Sequence, residues 1–364
     1  PMLSPVGLEE VGERLRALES RVGESARADG ILCALLARHG MSAGRPAGEV
    51  GALAERAVAD PETLAGEGPD SLWLLMSMLA LVAAERLDAA DEVLGAALDL
   101  ARARGSASGF ALVSWHRARV AFYRGALRDA EGEARAALDS GGLRGWYAIP
   151  ATGVLMDTLI AQGRLDDAKI AYDELGLDEQ LPDIRPASPM LITRAWLRHE
   201  QGEHGAALRD LDEALRRITR YNTANAVGLD ACLRLVLIHR ELGEDQLARR
   251  QSEQALEAAR AWGTRGAIGA ALRHRAAVAS GSEAIELLLE SVESLAVSPA
   301  RLEHAHSLVA LGSALRRAGK RADARARLRE GLAIAERCGA TPLIEHAREE
   351  LAASGQRLRR RDED

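Results

Sequence analysis

Tyr123–Ala134 reads YRGALRDAEGEA, and its arrangement returns along the chain. AQGRLDDAKIAY stands at Ala161–Tyr172, EQGEHGAALRDL at Glu200–Leu211, ELGEDQLARRQS at Glu241–Ser252 and RAGKRADARARL at Arg317–Leu328. A weaker copy is AERLDAADEVL at Ala84–Leu94, and ASGSEAIELLL at Ala279–Leu289 is two residues shorter after its glycine. Aligned on these segments, the turn glycines are Gly125, Gly163, Gly202, Gly243, Gly281 and Gly319, in steps of 38 to 41 residues. An alanine follows each turn: Ala90, Ala130, Ala168, Ala207, Ala248 and Ala324, with Ala284 in the shortened copy. Eight residues further on stands an aliphatic, Leu98, Leu138, Leu215, Leu256, Val292 or Leu332; Gly176 is the exception.

Each unit reads as helix, short turn, helix. Glycine takes the positive φ that ends the first helix, alanine sits where the two helices approach, and the later aliphatic meets the next unit. One hairpin cannot bury its apolar face alone, so the units must stack. The expected fold is an all-α, right-handed solenoid. Composition agrees. Of 364 residues 47% are apolar, yet only 3% are aromatic, with two Phe and four Tyr, whereas sheet proteins draw on aromatic and β-branched residues.

The bulk numbers exclude several classes of function. A net charge of −7 gives no overall basic footprint for nucleic acid. Lys169 and Lys320 are the only lysines among 47 basic residues. Cys33, Cys232 and Cys338 lie far apart with no CxxC pair, so they read as small buried hydrophobes of a reducing, cytoplasmic compartment. No run of 18 uncharged apolar residues suggests a membrane span. Pro1-Met2 and the tail RLRRRDED (Arg357–Asp364) give the expectation that the chain is a piece of something longer.

The Gly–x–aromatic/Leu–x–x–Ala pattern resembles the tetratricopeptide repeat, best in Leu311-Gly312, Gly319, Ala324 and Leu328. The longer period is similar to the sensor region of the maltose regulator and its relatives, the large ATP-binding regulators of the LuxR family. GRPAGEVGALAERAVADPETLAGEGPDS (Gly44–Ser71) resembles the start of that region, and GLAIAERCGATPLIEHAREELAASGQRLRRR (Gly331–Arg361) the stretch before its DNA-reading module. The resemblance implies a parent with an NTPase module before the repeats and a helix-turn-helix after them. Neither G-x-x-x-x-G-K-[ST] nor a recognition helix occurs in this chain. ATP would therefore belong to the parent, with no cofactor in this chain.

The expected organisation is a helical cap or irregular first repeat over residues 1–70, with Leu8, Val11, Leu15 and Leu18 at helical spacing, then the repeats over 71–340. A capping helix and basic tail over 341–364 would lead to the DNA-binding module. LDEQLPDIRPASP (Leu177–Pro189), with Pro182, Pro186 and Pro189, reads either as a hinge between two stacks or as a longer inter-repeat loop. Arg316–Arg329, with seven basic residues and one Asp, reads as a solvated helix face or, beside a DNA-binding module, as a surface near phosphates.

Catalytic chemistry does not emerge: there is no G-x-S-x-G elbow. Glu303-His304-Ala305-His306 places its histidines two residues apart on a helix, about 200° around the axis, so both cannot face one ion. No metal is expected. The functional signal is the aromatic distribution. Seven of eleven aromatics lie in Phe110–Tyr172. By the resemblance, the first helix of each hairpin lines the concave groove. Counting back from Gly125 then puts Trp115, Arg119, Phe122 and Tyr123 there, and the same count adds Trp196 and His199, with Asp157 between. Trp146 and Tyr147 complete the candidate groove. An aromatic-rich concavity with a few polar groups suits a ligand or peptide, although inter-helix core is the competing role for the same rings. The expected partner is a small-molecule inducer or a protein; self-association is compatible with the fold, and direct binding of nucleic acid or membrane is not expected. The alternative is a free-standing peptide-binding scaffold or co-chaperone.

Overall fold

The computed structural model describes residues 26–143, 145, 148–177, 179–184, 187–220 and 226–355, together with Arg14, Ala17 and Leu18. These form 18 helices in antiparallel hairpins, with no strand among the described residues. The first hairpin is α1 (Ala26–Ala43) and α2 (Ala47–Val58), followed by the short α3 (Pro61–Glu67). Then come α4 (Leu72–Ala83) with α5 (Leu87–Arg104), α6 (Ala107–Tyr123) with α7 (Leu127–Asp139), and α8 (Ala148–Ala161) with α9 (Leu165–Asp173). The second half pairs α10 (Ser188–Glu200) with α11 (His204–Arg220), α12 (Ala226–Glu241) with α13 (Asp245–Trp262), and α14 (Arg265–Ala277) with α15 (Gly281–Ala296). Finally α16 (Arg301–Arg317) pairs with α17 (Arg321–Cys338), and α18 (Thr341–Ala353) covers the end. No helix of the described residues is long and apolar enough to cross a membrane.

Five of the six turn glycines work as their spacing predicts; Gly281 does not cap α14, whose C-cap is Val278, but is the first residue of α15. Gly125, Gly163, Gly202, Gly243 and Gly319 have φ between 74° and 81°. Each closes a Schellman cap: the glycine N–H reaches the carbonyl three residues back, and the next N–H reaches five back, as in Ala126 to Ala121 at 2.9 Å. The weak first copy keeps this cap with a residue that resists it. Glu85 sits in the glycine position at φ 59°, the one non-glycine with positive φ among the described residues, and Arg86 donates to the Leu81 carbonyl at 2.8 Å.

Ala90, Ala130, Ala168, Ala207, Ala248 and Ala324 are all fully buried where the paired helices cross, while Ala284 of the shortened copy is half-exposed. The later aliphatics are less enclosed than expected. Leu256 and Val292 are buried, but Leu98, Leu138, Leu215 and Leu332 only flank the core. Their helices form the outer layer, so one edge of each side chain meets water.

The proline segment is a longer loop fastened to the stack, not a hinge; Pro186 lies outside the described residues. Arg217 donates to the Leu181 and Pro182 carbonyls at 2.8 and 2.7 Å, and Arg220 pairs with Asp183. Arg194, on α10, donates to the Glu179 carbonyl at 2.9 Å and the Tyr172 hydroxyl at 2.6 Å. The same guanidinium grips both oxygens of Asp210 on α11, at 2.9 and 2.5 Å, and Arg198 adds a third bond at 2.8 Å. Burial works against the Arg194 charge, yet Asp210 raises its pKa.

The coil then closes on itself. The Trp262 indole donates to the Ala83 carbonyl at 3.2 Å, 179 residues away. The Gly266 N–H donates to Glu85 Oε1 at 2.7 Å across 181 residues, and the Ser298 hydroxyl donates to Oε2 at 3.1 Å across 213. One hairpin later, a Cβ on Gly125 would lie 2.7 Å from Cys338 Sγ and 3.2 Å from Leu302 N; one later again, a Cβ on Gly163 would lie 3.0 Å from Pro342. The tips of the α4–α5, α6–α7 and α8–α9 hairpins thus rest on the starts of α14, α16 and α18 respectively, five units further on. Apolar packing follows the same seam: Trp262 and Val120 share one core cluster with α4, while Leu127 packs into the α16–α18 cluster.

Candidate functional site

The first helices of successive hairpins, α6, α8, α10, α12, α14 and α16, pack on one another and so form the inner layer of the coil. Their polar residues keep one register. Arg119, Asp157 and Trp196 each stand six residues before their turn glycine; His116, Thr193 and Arg234 stand nine before it, and Asp230 and His306 thirteen before. Steps of three and four residues keep a helix face together.

Trp115 is 8% exposed and packs against Ala137 and Ala151, flanked by Leu75, Leu79 and Leu112. Its ring forms core between neighbouring hairpins, and its indole N–H has no partner. Arg119 lies over the ring at 5.8 Å. Arg119 keeps part of its surface open, yet it lies so deep that burial alone lowers its pKa to about 10, and its Nη1 has no partner. His116 is fully buried 4.3 Å from the Trp115 ring, with neither nitrogen bonded. Burial, then the Arg119 charge, drives His116 well below the ordinary imidazole range.

Asp157 lies on α8 of the same layer. Its Oδ1 has no partner, and burial raises its pKa to about 7; Asp230 adds to the rise, while Arg234 and a hydrogen bond from Thr193 oppose it. Arg234 in turn lies 4.2 Å over the Trp196 ring. Of the buried polar side-chain atoms without a partner among the described residues, six of ten belong to α6 and α8. An unsatisfied buried group costs roughly 1–3 kcal/mol, so these atoms call for a partner from ordered water or a ligand.

Further along the layer, Arg273 of α14 donates to Glu303 of α16 at 2.5 Å. Burial opposes the Glu303 charge, but Arg273 and His306 hold its pKa down to about 2. His306 is lowered to about 4 and His274 to about 3, in both cases chiefly by burial. His304 meets Glu330 and Arg301, whereas His306 meets Arg273, Glu303 and His346. The two therefore face different surroundings, as two-residue spacing on a helix requires.

The remaining sequence candidates scatter. Phe122 packs into the α16–α18 cluster and Tyr123 donates to Glu85 at 2.9 Å, so both belong to the seam between successive coils. Burial, then Glu85, keeps the Tyr123 phenol protonated by raising its pKa well above the usual value. His199 sits at the tip of its hairpin, with Nδ1 3.3 Å from Nδ1 of His204. Trp146 and Tyr147 lie outside the described residues, as do Leu8, Val11, Leu15 and the basic tail. Sequence reasoning missed His116, Arg234, Arg273 and Glu303. The register carried through every hairpin would have found His116 and Arg234.

The chain is similar to the crystal structure of the APC/C hetero-tetramer Cut9–Hcn1, with a TM-score of 0.60 and 14% identity, over 94% of this chain and 59% of that one. The fold is a tetratricopeptide-like solenoid. At this identity the likeness concerns the fold alone, and the chain spans about 59% of its neighbour's length. A second structure, BtubC (BKLC) from P. vanneervenii, matches at a TM-score of 0.39 and 14% identity, over 66% of this chain and 95% of that one. No family model and no curated protein matches the sequence.

The Asp157 carboxyl gives a testable pH dependence. Its folded pKa of about 7 exceeds its ordinary 3.8, so above pH 4 the unfolded chain releases a proton that the folded chain retains. That group's contribution to stability therefore declines as pH rises toward 7 and levels off above it. His274 and His306, with lowered values, act the other way, costing stability as pH falls below 6.5. Asp157→Asn leaves both histidines in place. The Asn variant should gain on the parent by up to about 1.4 kcal/mol per pH unit between pH 4 and 7, read by denaturant unfolding at each pH. Parallel profiles would contradict it.

Proposed function

We propose that this chain is the sensing solenoid of an ATP-dependent LuxR-type transcriptional activator, taking up an inducer in the interior beside α6 and α8. The observation that carries the reading is Arg119, a deep guanidinium with an unpartnered nitrogen, about one helical turn from the unsatisfied His116. A buried cation of this kind favours a small molecule with an anionic or strongly accepting group. The resemblance to the maltose-regulator relatives supplies the rest: the inducer biases a resting assembly toward an NTP-bound oligomer. A ligand achieves this only by differential affinity for two states, and a closed coil loosened along its seam is a natural second state.

The test joins two measurements. Small anionic metabolites are screened for thermal stabilisation of the chain, and each hit is repeated with Arg119→Leu. Stabilisation that is lost in the variant, with matching loss of inducible transcription in the intact parent regulator, supports the reading. Hits indifferent to Arg119→Leu, or a parent reading frame with neither a P-loop upstream nor a helix-turn-helix downstream, would overturn it.

An outer groove favours the second reading, a free-standing scaffold that binds a protein or peptide. It lies between α5, α6 and α7, has a volume of about 790 Å³ and opens to solvent, with Phe110, Leu98, Arg102 and Arg117 in its walls. The Cut9–Hcn1 structure is itself a hetero-tetramer. Binding of peptides that survives Arg119→Leu and fails on Phe110→Ala would select this reading.

A further inference from the structure

We propose that His199, His204 and Glu241 form a binding site for a divalent transition-metal ion, zinc in the first instance, joining two consecutive hairpins. The absence of a metal was expected from His304 and His306 alone. These three ligands come instead from three helices, so no sequence spacing announces them. His199 lies in the last turn of α10, His204 opens α11 and Glu241 ends α12.

Geometry carries the assignment. The two imidazole Nδ1 atoms stand 3.3 Å apart. Two nitrogens bound tetrahedrally to zinc at about 2.05 Å are separated by roughly the same distance. Glu241 spans the pair, its Oε1 3.7 Å from His199 Nε2 and its Oε2 3.8 Å from His204 Nε2. Those separations are too long for hydrogen bonds, so the carboxylate converges on the rings without being satisfied by them. One ligand atom from each residue can be chosen so that all three lie within 4.8 Å of one another. The Nδ1 pair and the Glu241 contacts involve different ring nitrogens, so an ion seated between the Nδ1 atoms reaches Glu241 once an imidazole flips about χ2 or the carboxylate swings to that edge.

The backbone holds the pair in place. His199 and His204 flank the Gly202 cap, in which Gly202 N–H meets the His199 carbonyl at 2.9 Å and Glu203 N–H meets that of Arg198 at 2.8 Å. Nearby charges are already engaged: Arg198 with Asp210 and Glu179, and His239 with Glu244 at 2.6 Å. His199 and His204 side chains are 12% and 28% exposed and Glu241 is 51% exposed, which leaves a route for the ion. Two imidazoles and a carboxylate suit zinc, and also nickel or copper, over calcium or magnesium. With three protein ligands, one coordination position remains for water or for a donor from another molecule.

The test uses the chelator-stripped chain and Zn²⁺ by titration calorimetry, with Co²⁺ absorption to report the donor set. One ion should bind per chain, Co²⁺ should give a nitrogen–oxygen spectrum without thiolate charge transfer, and His204→Ala or Glu241→Gln should weaken binding at least tenfold. His346→Ala, outside the cluster, should leave it unchanged. Circular dichroism confirms that each variant folds, as expected for half-exposed side chains. Undiminished binding in both His204→Ala and Glu241→Gln, thiolate bands, an equal loss in His346→Ala, or no Zn²⁺ binding by the parent chain would overturn the site.

Discussion

Asp210→Ala is expected to cost about 3–5 kcal/mol, because it strips the partner from a charge that cannot leave. Arg194 and Asp210 side chains are each 5% exposed, and Asp210 takes both Arg194 bonds and one from Arg198. Without the carboxylate, the guanidinium stays desolvated between α10 and α11, held only by Tyr172 and the Glu179 carbonyl. Truncation of Asp167, whose pair with Arg164 is about half exposed on both sides, should cost less than about 1 kcal/mol. Urea unfolding gives the totals, and hydrogen exchange should show the loss centred on α10, α11 and the loop at 179–184. A paired replacement, Arg194→Met with Asp210→Leu, should recover much of the loss, since apolar residues of similar volume often do as well as a buried ion pair. Equal costs for Asp210→Ala and Asp167→Ala would refute the argument.

Glu85→Ala is the second large effect, and its signature is shape as well as stability. The Glu85 carboxylate receives Tyr123 O–H, Gly266 N–H and Ser298 O–H, so its removal strands donors on three helices or loops. A loss of roughly 2–4 kcal/mol follows from two or three partly buried groups left unpaired. Scattering should show a larger radius of gyration as the seam loosens. Glu85→Gly separates the two roles of this position. It removes the same bonds but relieves a left-handed backbone conformation worth about 1–2 kcal/mol for a residue with a Cβ. The glycine variant should therefore be as open as the alanine variant yet more stable. An unchanged radius in both would show that the coil stays closed without this residue.

The hairpins were legible in the sequence because they depend on local rules. Gly125, Gly163 and Gly319 declare a positive φ, and Ala130 or Ala324 declares a close helix crossing, each within one unit. Closure of the coil was not legible, since it sums a small rotation at every hairpin and is secured by contacts some 180 residues apart. That sum also explains the aromatics. Tyr123 and Phe122 sit at the right register for a groove, but the returning coil covers them and makes them part of a seam. Trp115 is drawn into the packing between hairpins, while Arg119 keeps part of its surface open. His199 lies in the last turn of α10, beside the hairpin tip, where it meets His204.

The constant offset at the seam restricts how this protein can change in evolution. An open array of repeats tolerates duplication or loss of a unit, because each unit touches only its neighbours. Here Glu85, Gly125 and Gly163 each meet the start of a helix five units onward. Gaining or losing one hairpin between them would place the wrong helix at every crossing simultaneously. Copy number in this chain is therefore a fixed quantity, and homologues should differ in loop length and surface residues long before they differ in the count of units between Glu85 and Gly266.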